Sequence, residues 1–415
     1  MQLCTKYVLT VDRLKLEKWD YLKSHSVGER MAAGVAVIGV GMTQLRSVTP
    51  DLSYKEMMFE AAVKAYDDAG VDPRKDVQSF VCSSEDFWEG TSIFDEYVPD
   101  QIGGSLKPVC TISGDGLYSL ATAYMQISSG LIDVAVVEAH SKASEIVSIR
   151  NIMSLALDPI YVRPLAADPY FVAGLEMARY LHESHNTREQ CAKVVEKNRR
   201  NALRNPYAAY PSKTTAQEVL TSKAICHPLD KMDVAEPADG AAVVVLASEE
   251  RVKEFCDNPI WILGLGWCSD TPCLEAREWG GAIYARVAAE KAFGMAKNVR
   301  PKDVDLLEID DSFSYKELQH LEAMGFCRKG EAGVLTQKGG TAVDGEMPVN
   351  ASGGSLGMGY TFEMAGLQRL CEMVLQLRGQ AGERQVKNVQ TGLVQCWRGV
   401  PTASGAAMIL TSERS

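Results

Sequence analysis

What this chain lacks narrows its class early. It has no apolar run near the roughly 18 residues that a membrane-spanning helix needs. It has eleven cysteines but no C-x-x-C pair, so the usual spacing of a structural zinc site is missing. There are only 6 histidines, and His140, His227 and His320 stand at no metal-ligating spacing. Basic residues are outnumbered 43 to 54, for a net charge of -11. That balance argues against nucleic acid as the main partner, because phosphate binding needs a basic footprint. The first 30 residues are mixed and charged, without the apolar stretch and cleavage site of a secretory signal. They are expected to be an appendage ahead of the first clean strand, AGVAVIGVG. With no export signal, the cysteines are expected to be reduced in a cytoplasmic protein with no membrane span.

What is present is a repeat. The chain has 415 residues and 46% hydrophobic content, enough for two or more domain-sized cores. The segment AAVKAYDDAGVDPRKDVQSFVCSSED, from Ala61, lies over AAEKAFGMAKNVRPKDVDLLEIDDSF, from Ala288, an offset of 227 (288 − 61). Each copy reads as an amphipathic helix, a Pro-containing loop and a short apolar strand. Ahead of each helix is a strand with two spaced glycines, VAVIGVG and WILGLG. After each second strand comes a Ser-Gly loop, TISGDG at 111–116 and NASGGS at 350–355, that opens a helix. Apolar strands follow, DVAVVEA at 133–139 and AAMIL at 406–410. Strands alternating with helices predict an α/β fold with mainly parallel pairing, built twice.

The copies are expected to divide the chain into 31–250 and 251–415. The stretch 141–225 interrupts the first as a helical lobe, with GLEMARYLHESH and REQCAKVVEKNRRNAL as helices, and DGAAVVVLAS at 239–248 closes that half. The lobe's Arg199, Arg200, Arg204 and Lys213 form either a solvated face or an anion-binding one.

This layout and several strings resemble the thiolase superfamily, especially its sterol-carrier-protein-type and archaeal branch. The stretches that carry the resemblance are SSGLIDVAVVEAHSKAS (128–144), the segment 204–248, EIDDSFSYKELQHLEAMGFCRKGEAG (308–333) and MPVNASGGSLGMGY (347–360). It implies a duplicated thiolase-type fold, two βαβαβ-type halves in five layers α-β-α-β-α. It also implies a coenzyme A thioester as substrate or product, no tightly bound cofactor, and a homodimer. A small partner subunit built of a zinc ribbon and an OB-fold is a further implication.

The family's three reactive groups are a cysteine at the start of the first buried helix, a histidine in an H-D-C-F-like segment and a histidine in a G-H-P-like segment. A thiolate at a helix N-terminus attacks thioesters readily, and a histidine moves protons near neutrality. Here all three positions differ: they read Ser113, Asp310 and Tyr360. Steroid side-chain aldolases of this superfamily, which cleave β-hydroxyacyl-CoA without a cysteine, have a tyrosine where this chain has Tyr360. Their second tyrosine stands where this chain has Asp310.

Tyr360 is thus a candidate to give or take a proton. Asp310, ending an apolar strand, is a candidate general base, with Asp311 and Ser312 better suited to helix capping. Ser113, with the Gly114 and Gly116 amides at a predicted helix start, suits a developing oxyanion. Gly353 and Gly354 are expected to let a thioester or pantetheine arm approach closely. Cys110 and Cys396 are the thiols nearest the expected site. The leading expectation is aldol or retro-aldol chemistry next to a CoA thioester carbonyl. A Claisen acyltransferase using Cys110 or Cys396, on a bulky or aromatic β-ketoacyl-CoA, is the alternative, and a non-catalytic subunit the third.

Overall fold

The computed structural model describes residues 34–413 apart from 86–87, 89–92 and 272. The expected appendage at 1–30 lies outside the described residues. Strand β1 (Val35–Met42) is followed by helix α1 (Tyr54–Ala69). The helix starts at a capping box between Ser53 and Glu56 and stops at Gly70, whose φ of 66° a side chain rarely adopts. The spaced glycines of β1 explain how the two elements meet. A Cβ on Gly39 would stand 2.5 Å from the Ala65 carbonyl oxygen, and one on Gly41 would strike the backbone of Ala61 and Ala65. Strand β8 (Ile260–Ser269) repeats this with Gly264 and Gly266 seated on Ala292 and Ala288 of the second-half helix at Ile283–Ala296. Those two alanines are the residues that the sequence repeat aligns with Ala65 and Ala61.

The other strands are β2 (Ser79–Ser83), β3 (Val109–Ile112), β4 (Val134–Ser141), the hairpin β5 (Ala224–Cys226) and β6 (Leu229–Asp230), β7 (Gly240–Ser248), β9 (Leu306–Glu308), β10 (Thr391–Trp397) and β11 (Ser404–Thr411). The first half is ordered β3-β2-β4-β7-β1, with parallel, parallel, antiparallel and antiparallel pairings. The second half repeats the pattern as β9-β10-β11-β8, with the bridge Leu307–Val349 in the place of the β2–β3 pair. The halves meet edge to edge where Ala36 and Val37 of β1 pair with Trp261 and Ile260 of β8, which makes one nine-stranded sheet of the two.

Helix α2 (Gly116–Ser128) belongs to the first half. The lobe carries α3 (Pro169–Ser184) and α4 (Arg188–Ala202), the two helices expected there. In the second half α5 (Ile283–Ala296) is followed by α6 (Ser314–Ala323), the short α7 (Gly354–Met358) and α8 (Ala365–Leu377). Side chains alternate across the sheet, as its period of two requires. Ala241, Val243 and Val245 of β7 pack toward α1, whereas Ala242, Val244 and Leu246 pack toward α2 and α8. On the second half, Leu307, Leu393 and Ile409 face α5 and the lobe, while Val394, Met408 and Leu410 face α2 and α8. Helices α2 and α8 therefore form the middle of five layers, and α1 and α5 lie outside. No helix among the described residues is long and apolar enough to cross a membrane.

Candidate active site

Loops at the C-terminal ends of β2, β3 and β9 converge on the N-termini of α2 and α8. Asp115 holds that junction. Its carboxylate caps α2 through the Leu117 amide at 2.9 Å and also accepts the Gly366 amide of α8 at 2.8 Å. Burial raises its pKa to about 6, and the Cys396 thiol hydrogen-bonds to it. Ser113 therefore lies two residues before the cap and outside the helix. The Gly114 and Gly116 amides donate to no protein acceptor among the described residues.

On the second-half side, Asp310 and Asp311 are fully buried. Both Asp310 oxygens are engaged: Oδ1 by the Ser312 amide (3.1 Å) and hydroxyl (2.7 Å), Oδ2 by Arg369 Nη2 (2.9 Å). Its carbonyl meets Nδ1 of His320 at 2.9 Å. His320 is buried, which pushes its pKa down to about 3. Asp311 caps α7 through the Ser355 amide (2.5 Å) and the Leu356 amide (3.2 Å), and burial raises its pKa to about 7. A side chain on Gly354 would collide with that carboxylate, and one on Gly353 would stand 2.7 Å from the Ala202 methyl. These two glycines serve close packing of α7, and they line none of the cavities described next.

Three adjoining cavities, each sharing wall residues with the next, lie between the lobe and the junction. An open cleft of about 560 Å³ runs between lobe and core, with Arg150, Lys223 and Lys231 among its walls. The basic residues there are these three, not Arg199, Arg200, Arg204 or Lys213. The cleft shares Ile149, Tyr170, Val234, Ala235 and Pro237 with a narrow apolar throat that continues past Phe313, Val400 and Phe362 to Tyr360. Tyr360 and Phe362 then form part of the wall of a polar recess with Glu85, Gly114, Asp115, Glu363 and Arg398. The Tyr360 hydroxyl lies beside Gly399, where a Cβ would come within 2.6 Å of it. It has no hydrogen-bond partner among the described residues. Burial and the nearby Asp310, Glu363 and Asp115 carboxylates raise its pKa well above 10, so the phenol is a proton donor at neutral pH.

In the recess Arg398 pairs with Glu85 through Nε and reaches the Ser113 hydroxyl with Nη2 at 3.0 Å. That hydroxyl donates to Glu85 Oε2 at 2.8 Å. Neither candidate thiol is activated. Cys110, on β3, is half-buried, with its pKa raised by burial and by Asp95. Cys396 is buried on β10, with its pKa well above 9 through burial and the Asp115 carboxylate.

Ser113, Cys396, Tyr360 and the Gly114 and Gly116 amides thus gather around one junction. Asp310 lies beneath it in an ion pair. Sequence reasoning missed Glu85, Glu363, Arg369 and Arg398. A polar residue just past an apolar strand was a usable signal for Glu85, whereas Arg398, 313 residues further along, carried none.

Comparison with known proteins agrees with the fold. The family described as "Thiolase C-terminal domain-like" matches residues 269–412. An acetyl-CoA acetyltransferase of Methanothermobacter thermautotrophicus is 32% identical over 367 residues, covering 86% of this chain and 94% of that protein. Rabbit (Oryctolagus cuniculus) sterol carrier protein 2 is 29% identical over 383 residues, covering 86% of this chain and 69% of that protein. Among solved structures, the Ltp2–ChsH2(DUF35) aldolase superposes with a TM-score of 0.80 at 24% identity, over 92% of this chain and 98% of that one. The chain belongs to the thiolase superfamily, in the branch that holds the sterol carrier protein 2 thiolases and their archaeal relatives.

Proposed function

We propose that this chain is an enzyme that makes or breaks a C–C bond next to the carbonyl of a CoA thioester. Its reaction is of the aldol or retro-aldol type, on a β-hydroxyacyl-CoA, without an acyl-cysteine. The thioester class follows from the acetyl-CoA acetyltransferase relative and from the shape of the approach. Lys223, with Arg150 and Lys231 in exposed ion pairs to Asp168 and Glu236, offers positive charge to the phosphates of the nucleotide end, and an apolar throat suits the pantetheine arm. One observation carries the reaction type: a Tyr360 hydroxyl with no hydrogen-bond partner among the described residues stands where the throat meets the recess, and burial raises the pKa of both nearby thiols, Cys110 and Cys396.

In the cleavage direction the recess carboxylate Glu363 takes the β-hydroxyl proton, Glu85 being held, like Asp310, with both oxygens engaged. The C–O bond becomes a carbonyl as the Cα–Cβ bond breaks. The electron pair moves onto the thioester oxygen, where the Tyr360 O–H and the Gly114 or Gly116 amide stabilise the enolate. The protonated carboxylate then returns its proton to Cα. A free carbonyl compound and a shortened acyl-CoA leave. Asp310, with both oxygens engaged, orders Arg369 and the loop rather than acting as base.

A Claisen condensation or thiolysis through Cys110 or Cys396 is the alternative, favoured by the acetyltransferase relative and opposed by two thiols held protonated. The partners that fit are a second copy, across the half-buried edge strand β3, and a small zinc-ribbon/OB-fold subunit, since the similar aldolase is a complex of two different chains.

The test is a panel of β-hydroxyacyl-CoA and β-ketoacyl-CoA thioesters, with and without free CoA. Cleavage that proceeds without free CoA, with no acylated cysteine by mass spectrometry, is the expected result. Tyr360→Phe should lower kcat by about 10²-fold or more, the scale for removing one oxyanion donor, with little change in melting temperature. Strict dependence on free CoA with a trapped acyl-cysteine would sink the aldol reading.

A further inference from the structure

Arg277 is a buried cation without an ion-pair partner among the described residues. It is 9% exposed. Its Nη2 donates to the Pro401 carbonyl at 2.7 Å, and its Nε is buried without a hydrogen-bond partner. It forms no ion pair among the described residues. The other buried arginines do: Arg369 pairs with Asp310 at 2.9 Å and Arg384 with Glu372 at 2.8 Å. Buried Lys316, close enough to Arg277 to feel its charge, pairs with Glu176 at 2.5 Å. An unpaired guanidinium held out of water is costly unless an anion completes it.

The side chain lines a cavity of about 170 Å³ with Arg398, Leu157, Leu274, Thr402 and Ala403. Asp158 and Asp270 also line it, but both are half-exposed. Asp158 Oδ1 accepts the amides of Ile160 (2.9 Å) and Tyr161 (2.6 Å), and Asp270 Oδ1 that of Thr271 (2.7 Å); neither carboxylate forms an ion pair with Arg277. Arg398 is the shared wall between this cavity and the recess that contains Tyr360. A group extending from the reaction centre past Arg398 would meet Arg277.

We propose that the acyl moiety of the substrate carries a free carboxylate, and that Arg277 receives it. This deepens the CoA-thioester reading of the site and rests on it. The planar guanidinium presents unused donors, a geometry that matches a carboxylate. The cavity is sized for a carboxylate on a short chain or at the edge of a ring, not for a long neutral tail.

Calorimetric binding of two matched pairs tests this without depending on the reaction: glutaryl-CoA against valeryl-CoA, and adipoyl-CoA against hexanoyl-CoA. The protein is used as purified, with any copurifying subunit. Wild type should bind the dicarboxylic member at least about tenfold more tightly, the discrimination expected when a buried charge is left unpaired by the neutral ligand. Arg277→Met should bring that ratio toward one, and Arg277→Lys should leave an intermediate ratio. A wild-type ratio near one overturns the inference and leaves the thioester reading standing. So does a ratio that survives in Arg277→Met. If no acyl-CoA binds, the thioester reading fails and takes the inference with it. The wild-type ratio needs no variant, so misfolding of a mutant cannot hide the answer.

Discussion

In the first half, the loop after β3 runs straight into α2 under a single cap, Asp115. In the second, the corresponding loop makes an extra turn of helix, α7, held by Asp311 reaching across from the end of β9. Below these loops the halves match closely. Strand order, pairing sense and glycine seats repeat, down to the alanines on which Gly41 and Gly266 rest. The frame is fixed by backbone contact, which tolerates no added atom. The loop tips are held by side-chain caps and by isolated backbone bonds such as Tyr360 N to Glu236 O (2.8 Å), and there the halves have diverged. The repeat places Val81, Ser83 and Ser84 opposite Glu308, Asp310 and Asp311, so one strand end is apolar and hydroxylic and the other is acidic. Chemistry changes at the tips while the frame stays.

The largest effect should come from the acidic end. Arg369→Met strands Asp310 as a buried unpaired charge and should cost about 3–5 kcal/mol in chemical denaturation. Arg398→Met, whose pair with Glu85 is one-third open at the arginine, should cost about 1 kcal/mol. Equal losses would break the contrast between the two ends. Next come the glycine seats. Gly41→Ala and Gly266→Ala should each lose about 2 kcal/mol, since both force a methyl into helix backbone. If only one variant shifts its urea midpoint, the two frames are not equivalent.

A smaller, pH-dependent effect should follow from Glu308. Burial and the Glu372 carboxylate push its carboxyl above the usual range. A carboxyl whose folded pKa is raised holds its proton better in the native state, so stability is lost as pH rises from about 4.5 toward that folded value. Glu308→Gln removes this loss. Its melting temperature relative to wild type should therefore climb as pH increases above about 4.5; a difference that stays flat with pH would mean the acid end is not strained. The smallest effect is expected at the hydroxylic end. Cys110→Ser should change turnover by less than about twofold, because that thiol is neither ionised nor at the helix start. A large loss would return the thiol chemistry to contention.

Much of the frame was readable from the sequence because its determinants are local and periodic. Spaced glycines, an alanine-rich helix face and an apolar strand recur at a constant offset. The expected mainly parallel pairing does not hold: only the outer pairs β3–β2, β2–β4 and β10–β9 are parallel, and the central strands run antiparallel. Tyr360 was singled out through the family resemblance, at the G-H-P-like position after a glycine-rich loop, and it stands beside the recess. The helix start after β3 was read less well. Ser113 looked like the opening residue, but the carboxylate at Asp115 is the stronger cap and also serves Gly366, 251 residues away. Gly353 and Gly354 invited a ligand-approach reading, yet the groups that approach them are Ala202 and Asp311. The lobe's arginines could not be sorted by pattern alone. Arg199 and Arg200 lie on a helix where Glu196 pairs with Arg200 at i,i+4, whereas Arg150, Lys223 and Lys231 of the cleft come from separate short segments and share no periodicity. Glu85 with Arg398, and Arg369 with Asp310, are tertiary pairs, and nothing local announces them.

The throat has a further consequence. Its walls come from the lobe, from the end of β9 and from the turn before β11. Under the proposed reading it works as a depth gauge. A compact molecule that carries the right functional groups still fails, because it cannot hold them at the level of Tyr360. A long narrow arm is the handle that sets that depth. Selection by reach thus comes before selection by reactivity, and this would let a fixed frame take new acyl groups by changing only what lies beyond the end of the gauge.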